Sequence, residues 1–433
     1  MADVKPLRAL RYDTTLAGPL SQLTAPPYDV ITAEDRIELL GRSEYNVVAI
    51  DLPVVQVPPA GSEAERRDEL RPYEEAGARF EDWQKTGILK RDRVPAFWAH
   101  SQEYTGPDGV ARTRRGFFCR VHLEDYGAGR IRPHERTHPG PKEDRLRLMR
   151  ATRADLSPIF ALYSDPSHSV WDAIAPAAEE TPSAEVTDRE GTVHRLWQVS
   201  DPETIAIVQR AMRDAELLIA DGHHRYETAN AYAKEIGEID GHSEHEYVLM
   251  CLVALDDPGL SVFPTHRLIA PLQQDARDAL REAIANSFEI EDVSLEQLPP
   301  PPGGAPAQFG YIDSRLQPLR LTLRSQASAD AALRGHSEAY RRLDTGVLEA
   351  LLLRGALQMS DEDIEELRLL RYSSNADEAI SLVRSGEVEA AFLMRPTPIS
   401  QVRDVAASGE SMPPKSTFFY PKLLTGLLFN PLG

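Results

Sequence analysis

Two short polar segments carry the residue types that chemistry needs. In "RPHERTHPGPKEDR" the residues His134, Glu135 and His138 spell H-E-x-x-H. That spelling is the signature of zinc peptidases, where both histidines lie on one face of a continuous helix and the glutamate turns toward the metal-bound water. Pro133 before the motif and Pro139, Gly140 and Pro141 after it leave room for barely one helical turn. The segment therefore reads as a Pro/Gly-rich loop dense in ionisable groups, and loops of that kind carry sites more often than scaffold. In it Glu135 is a candidate general base, with His134 and His138 orienting it or holding phosphate oxygens. The plainer alternative is that the two histidines only hydrogen-bond loop backbone.

The second segment, "LLIADGHHRYETANAYAKEIG", reads as a buried strand ending at Ala220, a turn at Asp221 and Gly222, and a helix whose first turn holds His223, His224 and Arg225. Free N–H groups and the positive end of the helix dipole make such a turn an anion cradle. Gly222 lets a ligand approach the main chain, Arg225 can grip phosphate in a bidentate manner, and the histidines add donors. Without a ligand, Asp221 is a helix N-cap and the histidines are surface residues. Tyr226, Ala229, Ala233 and Ile236 form the packed stripe of this helix.

Lesser signals surround these two. Tyr28 and Asp29 in "APPYDVI" are candidate site or turn-capping residues. Lys142 and Arg145, just past the first loop, line the same cleft or face solvent. His266 and Arg267 in "PTHRLI" follow a strand and either line the same site or sit on a loop surface. "GESMPPKST" has a P-loop outline, but Pro414 stands where the second glycine belongs and has no N–H for phosphate. Lys415 then reaches a cleft only if the apolar tail "KSTFFYPKLLTGLLF" docks back on the body.

The elements that must position these residues are mixed. "VPAFWAHSQEY" and "TRRGFFCRVHL", joined by a Pro-Asp-Gly turn, predict a β-hairpin. "AEDRIELLGRS" predicts a helix stopped by glycine, and a helix over 201–215 precedes the Asp-Gly turn. "YVLMCLVAL" is a buried strand. The alternation favours a mixed α/β or α+β fold. "LPPPPGGAPAQ" marks a loop over 299–307 inside a C-terminal region of strands and helices. The expected division is 1–270, carrying both motifs, and 271–433.

Composition narrows the function classes. The 433 residues are 42% hydrophobic and 7% aromatic, as in globular proteins. A net charge of -20 argues against bulk nucleic-acid binding, while a local cationic cleft remains open to a small anion. Two cysteines are too few for a disulfide scaffold. No signal-peptide core or membrane-length apolar run is present, so a cytoplasmic protein is expected.

Taken together, "APPYDVI", "HERTHPGPKEDR", "SPIFALY", "DGHHRYETA", "PTHRLI" and "MPPKSTFFYPKL" resemble, in this order, the prokaryotic family called domain of unknown function 1015. The DGHHR element is further similar to the phosphate-binding box of the ParB/sulfiredoxin-like superfamily, which includes free serine kinases. That resemblance implies a ParB/sulfiredoxin-like catalytic core with an additional C-terminal α/β region. It also implies Glu135 as base, Asp221 to Arg225 as phosphate grip, ATP or ADP as donor, and Mg²⁺ bridging phosphates, with Asp29 or Asp221 helping to hold the metal. The activity implied is phosphorylation of a small hydroxylated metabolite, free L-serine first. The rivals are a nucleotide-responsive binding protein without turnover and a metal hydrolase using His134, Glu135 and His138.

Overall fold

The computed structural model describes residues 2–54, 63–125, 130–135, 139–237, 243–365 and 367–433. The fold is mixed α/β, with helices and several sheets in both parts of the chain. Two compact units are defined: unit 1 is Met1–Pro133, Thr137–Leu260 and Pro421–Gly433, and unit 2 is His134–Arg136 with Ser261–Tyr420. This partition differs from a boundary at 270. The strand His266–Ile269 pairs with Leu370–Ser373 and Ala390–Leu393, which ties it to the C-terminal sheet, and the last residues belong to unit 1.

Unit 1 is built on a nine-stranded sheet. Its order is Ile131–Arg132, Leu217–Asp221, Ile159–Tyr163, Tyr247–Ala254, Ala111–His122, Phe97–Thr105, Val193–Val199 and Ala184–Thr187, with Val4–Lys5 also on Ala111–His122. The hairpin expected from the Pro-Asp-Gly turn is present, with Thr105 opposite Ala111. Because side chains alternate across a strand, Phe97, Ala99, Phe117, Cys119, Ile159, Ala161, Val248 and Met250 share one core. The helices Ser169–Ala178, Pro202–Met212 and His223–Ile236 add Ile174, Val208, Tyr226 and Ala229 to it. Ile236, expected in that stripe, is the last residue of its helix and is 42% exposed. The helix Ala33–Arg42 starts at a Thr32/Asp35 capping box and continues through Gly41, so glycine is not its stop.

The alternate positions Trp98, His100, Phe118, Leu249 and Cys251 are equally buried. Beside them the guanidinium of Arg11 lies 4.5 Å from the Trp98 ring, and the tail bridges back through Phe429 to Leu10. Cys119 and Cys251 are free and buried.

Unit 2 carries a six-stranded antiparallel sheet in the order Phe288–Asp292, Leu319–Leu323, Gln308–Asp313, Ala390–Leu393, His266–Ile269 and Leu370–Ser373. Leu348, Leu351 and Leu352 fall at the junction of an α-helix, Asp344–Leu348, and a π-helix, Glu349–Ala356. The Pro-rich loop is anchored by Arg395, whose Nη2 donates to the carbonyls of Gly304 (2.6 Å) and Pro306 (3.0 Å). No helix among the described residues is long and apolar enough to cross a membrane.

Candidate functional site

In unit 1 the strand Leu217–Asp221 ends one residue before the helix His223–Ile236, in the strand, turn and helix order that the sequence predicts, with the strand one residue longer than its expected end at Ala220. Gly222 is the N-cap at φ 95°, a conformation that favours glycine. A Cβ there would also come within 3.0–3.2 Å of the Arg225 guanidinium, which lies across it. Asp221 is thus the last strand residue and does not cap the helix. Its Oδ2 accepts from Arg225 Nη2 at 2.6 Å, and its Oδ1 accepts from Lys422 Nζ at 2.6 Å. Burial alone would raise the Asp221 pKa, but the charges of Lys422 and Arg225, with His223 behind them, hold it well below the usual carboxylate range. Arg225 Nη1 donates to the Pro158 carbonyl, while its Nε is buried without a hydrogen-bond partner.

Beside this turn lies a cavity of about 40 Å³ lined by Tyr28, Asp51, Arg145, Ser157, Arg225 and Thr228. It has room for a water molecule or two and not for a nucleotide. Arg145, an alternative solvent-facing residue in the sequence, is 6% exposed. Its guanidinium carbon lies 4.1 Å from the Tyr28 ring centre, its Nη1 donates to the Asp51 carbonyl at 2.6 Å, and its Nε donates to Asp144 Oδ2 at 2.7 Å. Burial pushes the Tyr28 hydroxyl up to about 12. Burial likewise raises the Asp51 carboxyl, against the pull of Arg145 and Arg225. Asp29 is exposed on the Tyr28–Val30 turn, and its charge helps to hold the Lys422 ammonium above the ordinary lysine value, against burial. Lys142 Nζ pairs with Glu227 Oε2 at 2.8 Å on the same helix as Arg225. Tyr28, Asp29, Arg145, Asp221, Gly222 and Arg225 are therefore brought together.

The candidates His134, Glu135, His266, Arg267 and Lys415 belong to unit 2. His134 and Glu135 are extended, Glu135 bridging Met412 in parallel, so this part of the motif is not the helix that a zinc peptidase requires. His138 lies outside the described residues. His134 is 1% exposed and its Nε2 lies 2.9 Å from Thr417 Oγ1. Glu135 Oε1 accepts from the backbone N–H of Lys415 at 3.3 Å, and Lys415 adopts φ 56° to present it. Arg267 is buried, donates to the Pro414 carbonyl at 3.0 Å, lies 5.3 Å from the Tyr372 ring centre, and feels the charges of Glu349 and Glu135. Among the described residues no group of three or more His, Cys, Asp or Glu side chains is placed to hold a metal ion.

His266 sits within a strand and its Nδ1 accepts the Met394 N–H at 3.1 Å. Burial, helped by Arg267, lowers its pKa from 6.5 to about 4. Between these values the unfolded chain takes up a proton that the folded chain refuses, so stability falls as pH drops through this window. From pH 8 to pH 5 the loss from this one group is about 2 kcal/mol. His266→Asn, which keeps an acceptor for Met394, is expected to shrink the wild-type stability difference between these pH values by that amount in urea denaturation.

Sequence reasoning missed Lys422, Asp51, Ser157, Gln102 and Arg114. Their local signals are the family boxes "MPPKSTFFYPKL" and "SPIFALY", which contain Lys422 and Ser157, an acid ending the apolar run "VVAID", and polar residues at inward positions of two strands.

The chain matches the family model "Protein of unknown function (DUF1015)" over residues 4–346 and belongs to that family. No curated protein matches it. Among solved structures, a conserved hypothetical protein from Pyrococcus furiosus is 14% identical, with a TM-score of 0.35 over 70% of this chain and 90% of that one. A free serine kinase in complex with AMP is 14% identical, with a TM-score of 0.36 over 70% and 86%. SbnI with C-terminal truncation from Staphylococcus aureus is 10% identical, with a TM-score of 0.35 over 71% and 85%. At these values none of the likenesses assigns a reaction to this chain.

Proposed function

We propose that this protein is a nucleotide-dependent phosphotransferase that phosphorylates the hydroxyl of a small metabolite. The observation that supports this most is the helix start at Gly222. There, Arg225 and Lys422 converge on the single carboxylate of Asp221 beside the N-terminus of a helix, an arrangement suited to phosphate oxygens. Phosphoryl transfer asks a protein mainly for positioning and charge neutralisation. ATP or ADP is the donor in this reading. Free L-serine, the acceptor implied by the resemblance to free serine kinases, is the first to try. Glu135 is the proposed base, with His134 and His138 orienting it, and His223 and His224 complete the phosphate grip. Buried reduced cysteines and a nucleotide donor suit a cytoplasmic enzyme.

Mg²⁺ is usually held by one or two carboxylates together with substrate phosphates. Both oxygens of Asp221 already accept hydrogen bonds, and Asp29 is the exposed carboxylate beside Lys422, so Asp29 fits that part. Bound there, the ion would neutralise phosphate charge.

Labelled ATP or ADP, Mg²⁺ and pooled amino acids and sugars, incubated with the full chain, should yield a phosphorylated acceptor. Nucleotide binding with no product from any acceptor would favour a nucleotide-responsive binding protein. Stoichiometric zinc in the purified protein would favour the metal hydrolase.

A further inference from the structure

We propose that Lys422 is a phosphate-contacting residue of the unit 1 site, that Asp221 is the internal counterion which a bound phosphate displaces from it, and that Gln102 and Arg114 are its positioning residues. This rests on the nucleotide-binding part of the reading above. Lys422 lies beyond the residues matched by the family model and far along the chain from the DGHHR motif.

Its ammonium nevertheless sits on Asp221 Oδ1 while Arg225 occupies Oδ2. One carboxylate thus serves two cations. Held well below the usual carboxylate range, Asp221 stays ionised at neutral pH and screens both of them when no ligand is bound. The Lys422 side chain is 22% exposed, so an incoming anion can meet it. The partnerless Arg225 Nε shows that the cluster as it stands leaves one buried donor unused.

The tail is held by more than docking demands. Gln102 Nε2 donates to the Lys422 carbonyl at 3.0 Å, and Arg114 Nη2 donates to the Pro421 carbonyl. Gln102 Oε1 in turn accepts from Arg114 Nε at 2.9 Å, which locks the two side chains together. Arg114 is 1% exposed, with its guanidinium carbon 4.5 Å from the ring centre of Phe160, the residue paired with Asp221 across the sheet. Burial lowers its pKa to about 10. Enclosing a guanidinium carries a large desolvation penalty. The tail already buries Leu423, Leu424, Leu427, Leu428 and Phe429, and those apolar residues suffice to dock it. What the Gln102 and Arg114 pair adds is a fixed backbone at Pro421 and Lys422, and hence a fixed ammonium.

Calorimetric titration of the full chain with ADP, with adenosine as the phosphate-free control, tests this. Lys422→Gln keeps a donor for Asp221 and removes the charge. It is expected to weaken ADP about tenfold or more, leave adenosine unchanged, and flatten the salt dependence of ADP binding. Lys422→Arg should restore most of the affinity. Gln102→Glu keeps an acceptor for Arg114, removes the donor to the Lys422 carbonyl and adds a carboxylate charge beside the Arg114 guanidinium, so it should weaken ADP by a smaller factor while leaving adenosine unchanged. Wild-type affinity in Lys422→Gln would assign Lys422 to tail docking and overturn this proposal while leaving the proposed function standing. A folded Lys422→Arg protein that does not recover ADP affinity would overturn it too. Failure of the wild type to bind ADP or ATP would end the functional reading and this inference with it.

Discussion

Glu135→Gln is expected to lower turnover by about 10²- to 10⁴-fold, the range lost with a general base, while nucleotide affinity stays within about twofold. The reason for this split is local. Glutamine keeps an oxygen at the position that accepts the Lys415 N–H, so the extended pairing with Met412 and the Lys415 turn are retained. What disappears is the capacity to take a proton, together with a negative charge near the buried Arg267. Single-turnover rates at saturating nucleotide, paired with calorimetric affinities, separate the two effects. Equal loss of turnover and binding would make Glu135 a structural clasp for the Lys415 turn and remove it from the catalytic machinery.

The second large effect is expected at Asp221. In Asp221→Asn the Arg225 and Lys422 cations face a neutral amide, and removing one partner of a buried ion pair typically costs about 3–5 kcal/mol. That loss should be partly recovered by millimolar phosphate, which supplies the missing anion, and the melting temperature of the variant should therefore rise with phosphate far more steeply than that of the wild type. The pH dependence has a definite sign. Because the folded pKa of Asp221 lies below its ordinary 3.8, its contribution to stability is present above that value and is lost as pH falls below it. The wild type should lose stability in that acid range and the variant should lack this component. An Asp221→Asn protein as stable as wild type at pH 7, and indifferent to phosphate, would show that Lys422 and Arg225 are neutralised by other groups.

Much of the unit 1 site is legible in the chain because its parts are made locally. An apolar run, an Asp-Gly break and a helical stripe place Gly222 and Arg225 with no knowledge of distant residues. The same local logic, prolines flanking H-E-x-x-H, denies a zinc-peptidase helix, and His134 and Glu135 are indeed extended. It fails where a helix runs one residue past its glycine, as at Gly41, and where a residue of the apolar stripe is exposed, as at Ile236. It also fails at His266, whose motif reads as either a site-lining position or a surface loop and whose side chain is a buried strand acceptor.

Turn chemistry, strand alternation and the family boxes were thus properties of the sequence by itself, since each depends on neighbours a few residues apart. That Lys422 meets Asp221 was decided only by the tertiary structure. Lys422 reaches it because the sheet of unit 1 presents Gln102 and Arg114 to the tail backbone, and Arg145 turns inward because Asp51 and Tyr28 close over it. For charges hundreds of residues apart, the partner is set by distance through space, and distance along the chain carries almost no information about that.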